Sequence, residues 1–206
     1  DHAFLAEESG RSGDGPVEWV IDPLDGTTNF LHGFPTFSVS IACRIRGRLE
    51  HAVIHDPMRQ EIFTASRGDG ARLENRRIRV SKQRGLEGAL IATGFPYRAN
   101  LKHLDTYLGM MTAVMEHTAG IRRAGSAALD LAYVAAGRGD ALGEIGLAPW
   151  DTAAGTLLIQ EAGGRIGTLS GGEYQQNGNV IAGTPRVYEA LLELLAPHVQ
   201  GELREE

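Results

Sequence analysis

Asp22-Pro23-Leu24-Asp25-Gly26-Thr27-Thr28-Asn29-Phe30 follows the apolar run Trp19-Val20-Ile21 and sets two carboxylates three residues apart at its end. A strand predicted over the apolar run delivers Asp22 at its carboxyl end. Pro23 fixes φ and withholds an N–H, and Gly26 permits a backbone conformation that a Cβ would forbid. The turn can then aim both carboxylates at one point. Thr27, Thr28 and Asn29 come next at a predicted helix start, where free N–H groups and the positive dipole end suit a phosphate. A cation site and an anion site would therefore touch. Asp-Gly is also a common turn dipeptide, and Asp, Thr or Asn near a helix start often only caps it. The whole nonapeptide, not any one pair in it, favours the metal.

Upstream, Ala3 to Ala6 predicts a short strand closed by Glu7-Glu8-Ser9, with Gly10 to Pro16 as a polar loop. If the two strand ends lie side by side, Glu7 joins the aspartates; read alone, Glu7-Glu8 is a solvated acidic pair. Downstream, two-residue alternation over Phe37 to Arg44, Leu49 to Asp56 and Glu61 to Ser66 predicts an antiparallel meander. His51 and His55 share one strand face without converging, so they are ordinary sheet positions. Arg72 to Arg79 predicts a solvated hairpin.

Ala89 to Thr93 is a further strand. Leu101 to Glu116 carries Leu104, Leu108, Met111 and Met115 as a helical stripe, with the methionines as core filler. Ser126 caps a small-residue helix over Ala127 to Ala136. Asp140 to Ile145 predicts a strand, Gly146 to Pro149 a loop, and Trp150 to Ala162 a helix with Asp151 in its first turn, where a lone acid usually compensates the dipole. Strands at Arg165 to Leu169 and Val180 to Ala182 and a helix from Pro185 to Leu195 complete an α/β (α+β) layered sandwich.

A chain of 206 residues can bury one sizeable core. The net charge of −6 and scattered Lys and Arg exclude a basic nucleic-acid face. A single cysteine, Cys43, excludes an internal disulfide and a thiolate cluster and reads as a buried small hydrophobe. No apolar run approaches a membrane span, so a soluble, reducing, cytoplasmic setting is expected.

The nonapeptide, with Ala6-Glu7-Glu8-Ser9 before it and Trp150-Asp151-Thr152-Ala153-Ala154-Gly155 after it, resembles the inositol monophosphatase family of lithium-sensitive, magnesium-dependent phosphatases. Gly94-Phe95-Pro96, Gly120-Ile121-Arg122 and Gly125-Ser126-Ala127 extend the resemblance over nearly the entire chain, and it looks closest to the bacterial inositol-1-monophosphatases. By that resemblance Glu7, Asp22, Asp25, Asp151 and the Leu24 carbonyl would ligate two or three Mg²⁺ ions. Hard oxygen ligands without His or Cys suit Mg²⁺ independently. The resemblance implies a metal-bound water as nucleophile, Glu7 and Thr27 as its activating pair, phosphate on the N–H groups of Gly26 and Thr27, and alcohol contacts from Asp25, Gly125, Ser126, Ala127 and Glu144.

The implied fold alternates helix and sheet layers, as in sugar phosphatases. Residues 1–118 form a metal-binding antiparallel lobe, 119–200 a smaller α/β lobe and 201–206 a charged, frayed tail. Family members begin with a helical pair and a hairpin, so the resemblance implies that an N-terminal helical layer is missing from this chain. One sheet face would then be uncovered, at about 25 cal/mol per Å² of apolar surface, and poor solubility or weak activity is expected. Gly139 to Glu144 lacks the bulky aromatics usual in the family, which implies a looser strand at Gly143, and Ser126 stands where Thr or Ala is common.

The expected reaction is hydrolysis of myo-inositol monophosphate by a homodimer. Fructose-1,6-bisphosphate, histidinol phosphate and 3′-phosphonucleotides are rival substrates, because the alcohol pocket decides. A metal-binding remnant without turnover is a further alternative. So is a regulatory protein bound to the transcription machinery, as some bacterial relatives are.

Overall fold

The computed structural model describes residues 1–176 and 178–205. Its first half is an eight-stranded sheet ordered β2-β1-β3-β4-β5-β6-β7-β8. The strands are β1 (His2–Ala6), β2 (Gly10–Ser12), β3 (Val17–Asp25), β4 (Ser38–Ile45), β5 (Arg48–Asp56), β6 (Glu61–Ser66), β7 (Gly70–Leu73) and β8 (Arg76–Arg77), with a short helix α1 (Thr27–Leu31) after β3. β4, β5 and β6 form the expected antiparallel meander, which β3 and β7 extend on either side, and β7 and β8 form the expected hairpin. β1 runs parallel to β3 with Ala6 opposite Ile21, so the two acidic strand ends do lie side by side. Gly10–Ser12, expected as loop, instead pairs antiparallel with β1, because the edge of β1 offers a row of unpaired backbone groups.

The second half contains β9 (Leu90–Thr93), a 3-10 turn (Arg98–His103), α2 (Leu104–His117), β10 (Gly120–Arg122), α3 (Ala127–Ala135), β11 (Ala141–Leu147), α4 (Pro149–Glu161), β12 (Arg165–Gly167), β13 (Gly178–Gly183), α5 (Pro185–Leu195) and α6 (Glu202–Glu205). Its sheet is ordered β10-β9-β11-β13-β12. β9 and α2, which the sequence reading put in the first lobe, thus belong with the second sheet. The division between sheets falls between Arg77 and Leu90. Most of the expected frayed tail is the helix α6; Glu206 lies outside the described residues.

Sheet and helix layers alternate. One core joins Val20, Ile54 and Phe63 of the first sheet to α3 and α4 and to Leu142 and Val180 of the second. Residues of α3 and α4 are buried nearly all round, as a helix pair held between two sheets must be. A second core packs α2 and α5 on the far face of the second sheet through Ile91, Met110, Val114, Tyr188 and Leu191. The outer face of the first sheet presents Phe4, Val53 and Ile62, each 36–41% exposed.

The stripe expected on α2 is corrected. Tyr107, Met110, Met111 and Val114 are buried, whereas Leu104, Leu108 and Met115 are 41–59% exposed. Both sets have helical spacing; the buried one carries the Tyr107 hydroxyl within 3.4 Å of Thr93 Oγ1 on β9, a polar partner that periodicity alone does not reveal. Cys43 is buried, as expected.

α3 and α4 approach closely because Gly155 has no side chain: a Cβ there would lie 2.4 Å from Leu131 Cδ1 and 2.5 Å from its Cβ. Gly155→Ala is expected to destabilise the protein by about 1–3 kcal/mol through overpacking, seen as a melting temperature several degrees lower. An unchanged melting temperature would mean that the helix pair is not held at this distance.

Candidate metal centre

β3 is irregular where it matters. Asp22 pairs with Ser40 and Asp25 with Ser38, so three residues on β3 span what two span on β4. In a regular strand residues three apart point to opposite faces. The extra residue of the bulge returns Asp25 to the face of Asp22, and both are buried. Pro23, lacking an N–H, costs the ladder nothing at such a place. The Leu24 N–H donates to Asp22 Oδ1 at 2.8 Å and fixes the first carboxylate.

Asp25 is fixed from the other half of the molecule. Its Oδ2 accepts from Ser126 Oγ and, at 2.9 Å, from the Ala128 N–H at the start of α3. The same Ser126 hydroxyl caps α3 by accepting from the Leu129 N–H. Asp151 arrives on the first turn of α4, where its Oδ2 accepts from the Ala148 N–H at 2.7 Å. It is therefore a helix-capping acid and a site carboxylate at once. Carboxylate oxygens of Asp22, Asp25 and Asp151 all lie within 4.8 Å of one another.

Glu7 borders the same cleft, with Leu24, Gly26, Thr27 and Arg123, but stands outside that tight trio and is exposed. Thr27 Oγ1 donates to the Leu24 carbonyl at 3.0 Å, so these two sequence-predicted groups are in contact. Gly26 caps α1 with φ +92°, and a Cβ there would come within 3.0 Å of the Thr36 carbonyl and 3.1 Å of that of Gly125. No other residue serves there. Asn29 Nδ2 donates to the Thr36 and Ala124 carbonyls and ties α1 to the loop before α3.

An adjoining cleft of about 130 Å³ is lined by Asp25, Gly125, Ser126, Ala127, Glu144 and Asp151, together with Thr93, Gly94, Arg123 and Asp130. The predicted alcohol-side residues are thus brought together. Gly143, expected to loosen β11, is buried, and its carbonyl accepts from Thr93 Oγ1 at 2.8 Å. Gly94 is a position whose reason sequence reading missed: a Cβ there would lie 1.7 Å from Glu144 Oε1, so only glycine leaves the Glu144 carboxylate its place. Arg123 and Asp130 were also missed. Arg123 stacks on Phe95 at 4.8 Å, and Asp130 looks from sequence like one more polar residue on a helix.

The carboxylates are held against their preference for ionisation. Burial, then the neighbouring charge of Asp25, pushes Asp22 up to about 8. Burial pushes Asp25 up to about 6, opposed by its hydrogen bond from Ser126, and Asp151 up to about 7. Burial first, then Asp130, raises Glu144 to about 8. Like charges packed out of water favour protons unless a cation replaces them. Three converging hard oxygen donors without nitrogen or sulfur fit a divalent ion of the Mg²⁺ type.

The family model of the inositol monophosphatase family matches residues 1–203. The chain belongs to the inositol monophosphatase family. A relative from Pseudomonas aeruginosa named Nus factor SuhB is 56% identical over 209 residues, covering 98% of this chain and 77% of that protein. The extragenic suppressor protein SuhB from Bartonella henselae superposes with a TM-score of 0.90 at 47% identity, over 94% of this chain and 75% of that one. An IMPase from Thermotoga maritima does so with a TM-score of 0.87 at 36% identity, over 97% and 75%. The layered fold is that of these inositol monophosphatase-type structures.

In the metal-free protein the raised carboxyl groups bind more protons folded than unfolded across roughly pH 4 to 8, so stability must fall as pH rises through that window. A bound cation removes the penalty. Melting curves should therefore show Mg²⁺ stabilising the protein more at pH 8 than at pH 5; an equal gain at both would contradict the buried-carboxylate site.

Proposed function

We propose that the chain is a Mg²⁺-dependent phosphomonoesterase that hydrolyses myo-inositol monophosphate to inositol and phosphate in the cytoplasm. The observation that carries this reading is the contact of three things: the carboxylate trio, the start of α1 at Gly26 and Thr27, and the cleft bordered by Glu144. Membership of the inositol monophosphatase family supports it.

Asp22, Asp25 and Asp151, with Glu7 and the Leu24 carbonyl, would hold two or three cations, which would supply charge neutralisation on the phosphate oxygens and acidify a water. Phosphate rests on the N–H groups of Gly26 and Thr27, which need no reorganisation because α1 already presents them. Glu7 would take up the proton of the attacking water, which Thr27 helps to orient for in-line displacement; the ester oxygen would leave toward the alcohol cleft as an alkoxide and take a proton from water to give the free alcohol. There Glu144 accepts from hydroxyls of the leaving alcohol, while Ser126, fixed on Asp25, and the backbone of Gly125 and Ala127 shape the wall. Fructose-1,6-bisphosphate, histidinol phosphate and 3′-phosphonucleotides are the rival substrates of the same metal core.

With Mg²⁺ present, Asp22→Asn and Asp151→Asn should each reduce phosphate release from myo-inositol 1-phosphate to the level of a blank. Full activity in either variant would refute the assignment of the metal ligands, and a preference for a nucleotide would refute that of the substrate.

A second reading has its own support. The Pseudomonas aeruginosa relative is named a Nus factor, which favours a partner in the transcription machinery. Capture of RNA polymerase by this chain, undiminished in Asp22→Asn, would establish that role as separate from turnover.

We also propose a homodimer, for which the exposed apolar side chains Leu101, Leu104, Leu108 and Met115 supply apolar surface of the kind that an interface covers. Sedimentation should show a dimer that Leu108→Glu converts to monomer. A monomeric parent protein would remove the proposal.

A further inference from the structure

Two carboxyl groups on the alcohol side have no hydrogen-bond partner among the described residues. Every other site carboxylate treated above except Glu7 is tied down: Asp22 by one backbone N–H, Asp25 by α3, and Asp151 by its own helix start. Glu144 on β11 and Asp130 on α3 receive no hydrogen bond, although Asp130 is only 4% exposed and both border the same cleft. α3 presents Ala127 and Asp130, one turn apart, to that cleft. Asp130 and Glu144 line the same cleft, and the charge of Asp130 opposes ionisation of Glu144. Arg123 acts electrostatically on both but donates a hydrogen bond to neither, its guanidinium lying over Phe95.

The carboxylate oxygens of both open onto the cleft instead of being sealed in the protein, so a ligand can supply the hydrogen bonds that no protein group makes. Two such acceptors lining one cleft call for two donors on neighbouring carbons. A hydroxyl is the donor that fits. It satisfies a carboxylate without bringing a second charge into the cleft, and it can equally accept from a carboxyl group that keeps its proton.

We propose that Asp130 is a specificity-determining residue that binds a hydroxyl of the leaving alcohol adjacent to the one held by Glu144, selecting phosphate esters of cyclic polyols with two neighbouring free hydroxyls. This rests on the phosphatase reading above and adds to it. A 3′-phosphorylated nucleoside, with one free ribose hydroxyl beside its ester, satisfies only one of the two carboxylates. An ester without hydroxyls satisfies none.

The test compares kcat/KM for myo-inositol 1-phosphate with that for p-nitrophenyl phosphate, in the full chain with Mg²⁺. Asp130→Ala should lower the ratio of the two about tenfold or more, the scale of one hydrogen bond to a charged group, mainly through KM for the polyol. Asp130→Asn, which keeps one carbonyl acceptor, should recover part of the loss. A parallel fall on both substrates, or an unchanged ratio, overturns the inference while the phosphatase reading stands. Activity on neither substrate in the parent protein overturns both. Should Asp130→Ala not fold, monodeoxy inositol phosphates tested on the parent protein decide the matter. Loss of either of two adjacent hydroxyls should be costly, and a penalty confined to one hydroxyl overturns the inference.

Discussion

The bulge in β3 is the constraint on which the site depends. It puts Asp22 and Asp25 on one buried face and commits the fold to holding like charges together out of water. The hydrogen bonds around them are too few to compensate the carboxylates fully, since all three remain raised well above the ordinary range. A divalent cation removes the conflict, because its charge outweighs the repulsion that burial magnifies. The trio is thus a cluster that could hold a metal ion.

That arrangement draws on distant parts of the chain. β3 and α1 bring the aspartates and the start of α1 at Gly26 and Thr27, β1 brings Glu7 by lying parallel to β3, and the starts of α3 and α4 bring Ser126 and Asp151. Two of these helix starts serve twice. Ser126 Oγ caps α3 while donating to Asp25, and Asp151 satisfies the Ala148 N–H while facing the trio. Stability and site geometry share atoms here, so a substitution that disturbs one disturbs the other.

Much of this was legible in the sequence, and the limits have physical causes. Strands with strict alternation, such as Glu61–Ser66, and the helix Pro185–Leu195, bounded by proline, coincide with the structure because local periodicity and breakers determine them. Gly10–Ser12 was not legible, because its three residues are a strand only through the edge of β1. On α2 two apolar stripes compete, and the partner that chooses between them lies on β9. The motif residues at Asp22, Asp25 and Asp151 announced themselves by chemistry at a strand end or helix start. Gly94 and Asp130 did not, because the meaning of each depends on Glu144, 50 residues away from the first and on a different element from the second. The signal that could have found Asp130 is its position one turn beyond Ala127, on the face of α3 that meets the cleft.

The central claim is that the carboxylate trio is a cation site. Crystals soaked in Mn²⁺, an anomalous scatterer that accepts the same hard oxygen donors as Mg²⁺, test it directly. The account predicts an anomalous peak within coordination distance of Asp22, Asp25 and Asp151 that disappears in Asp22→Asn. A trio without a peak at saturating Mn²⁺, or a peak that survives the substitution undiminished, would contradict it.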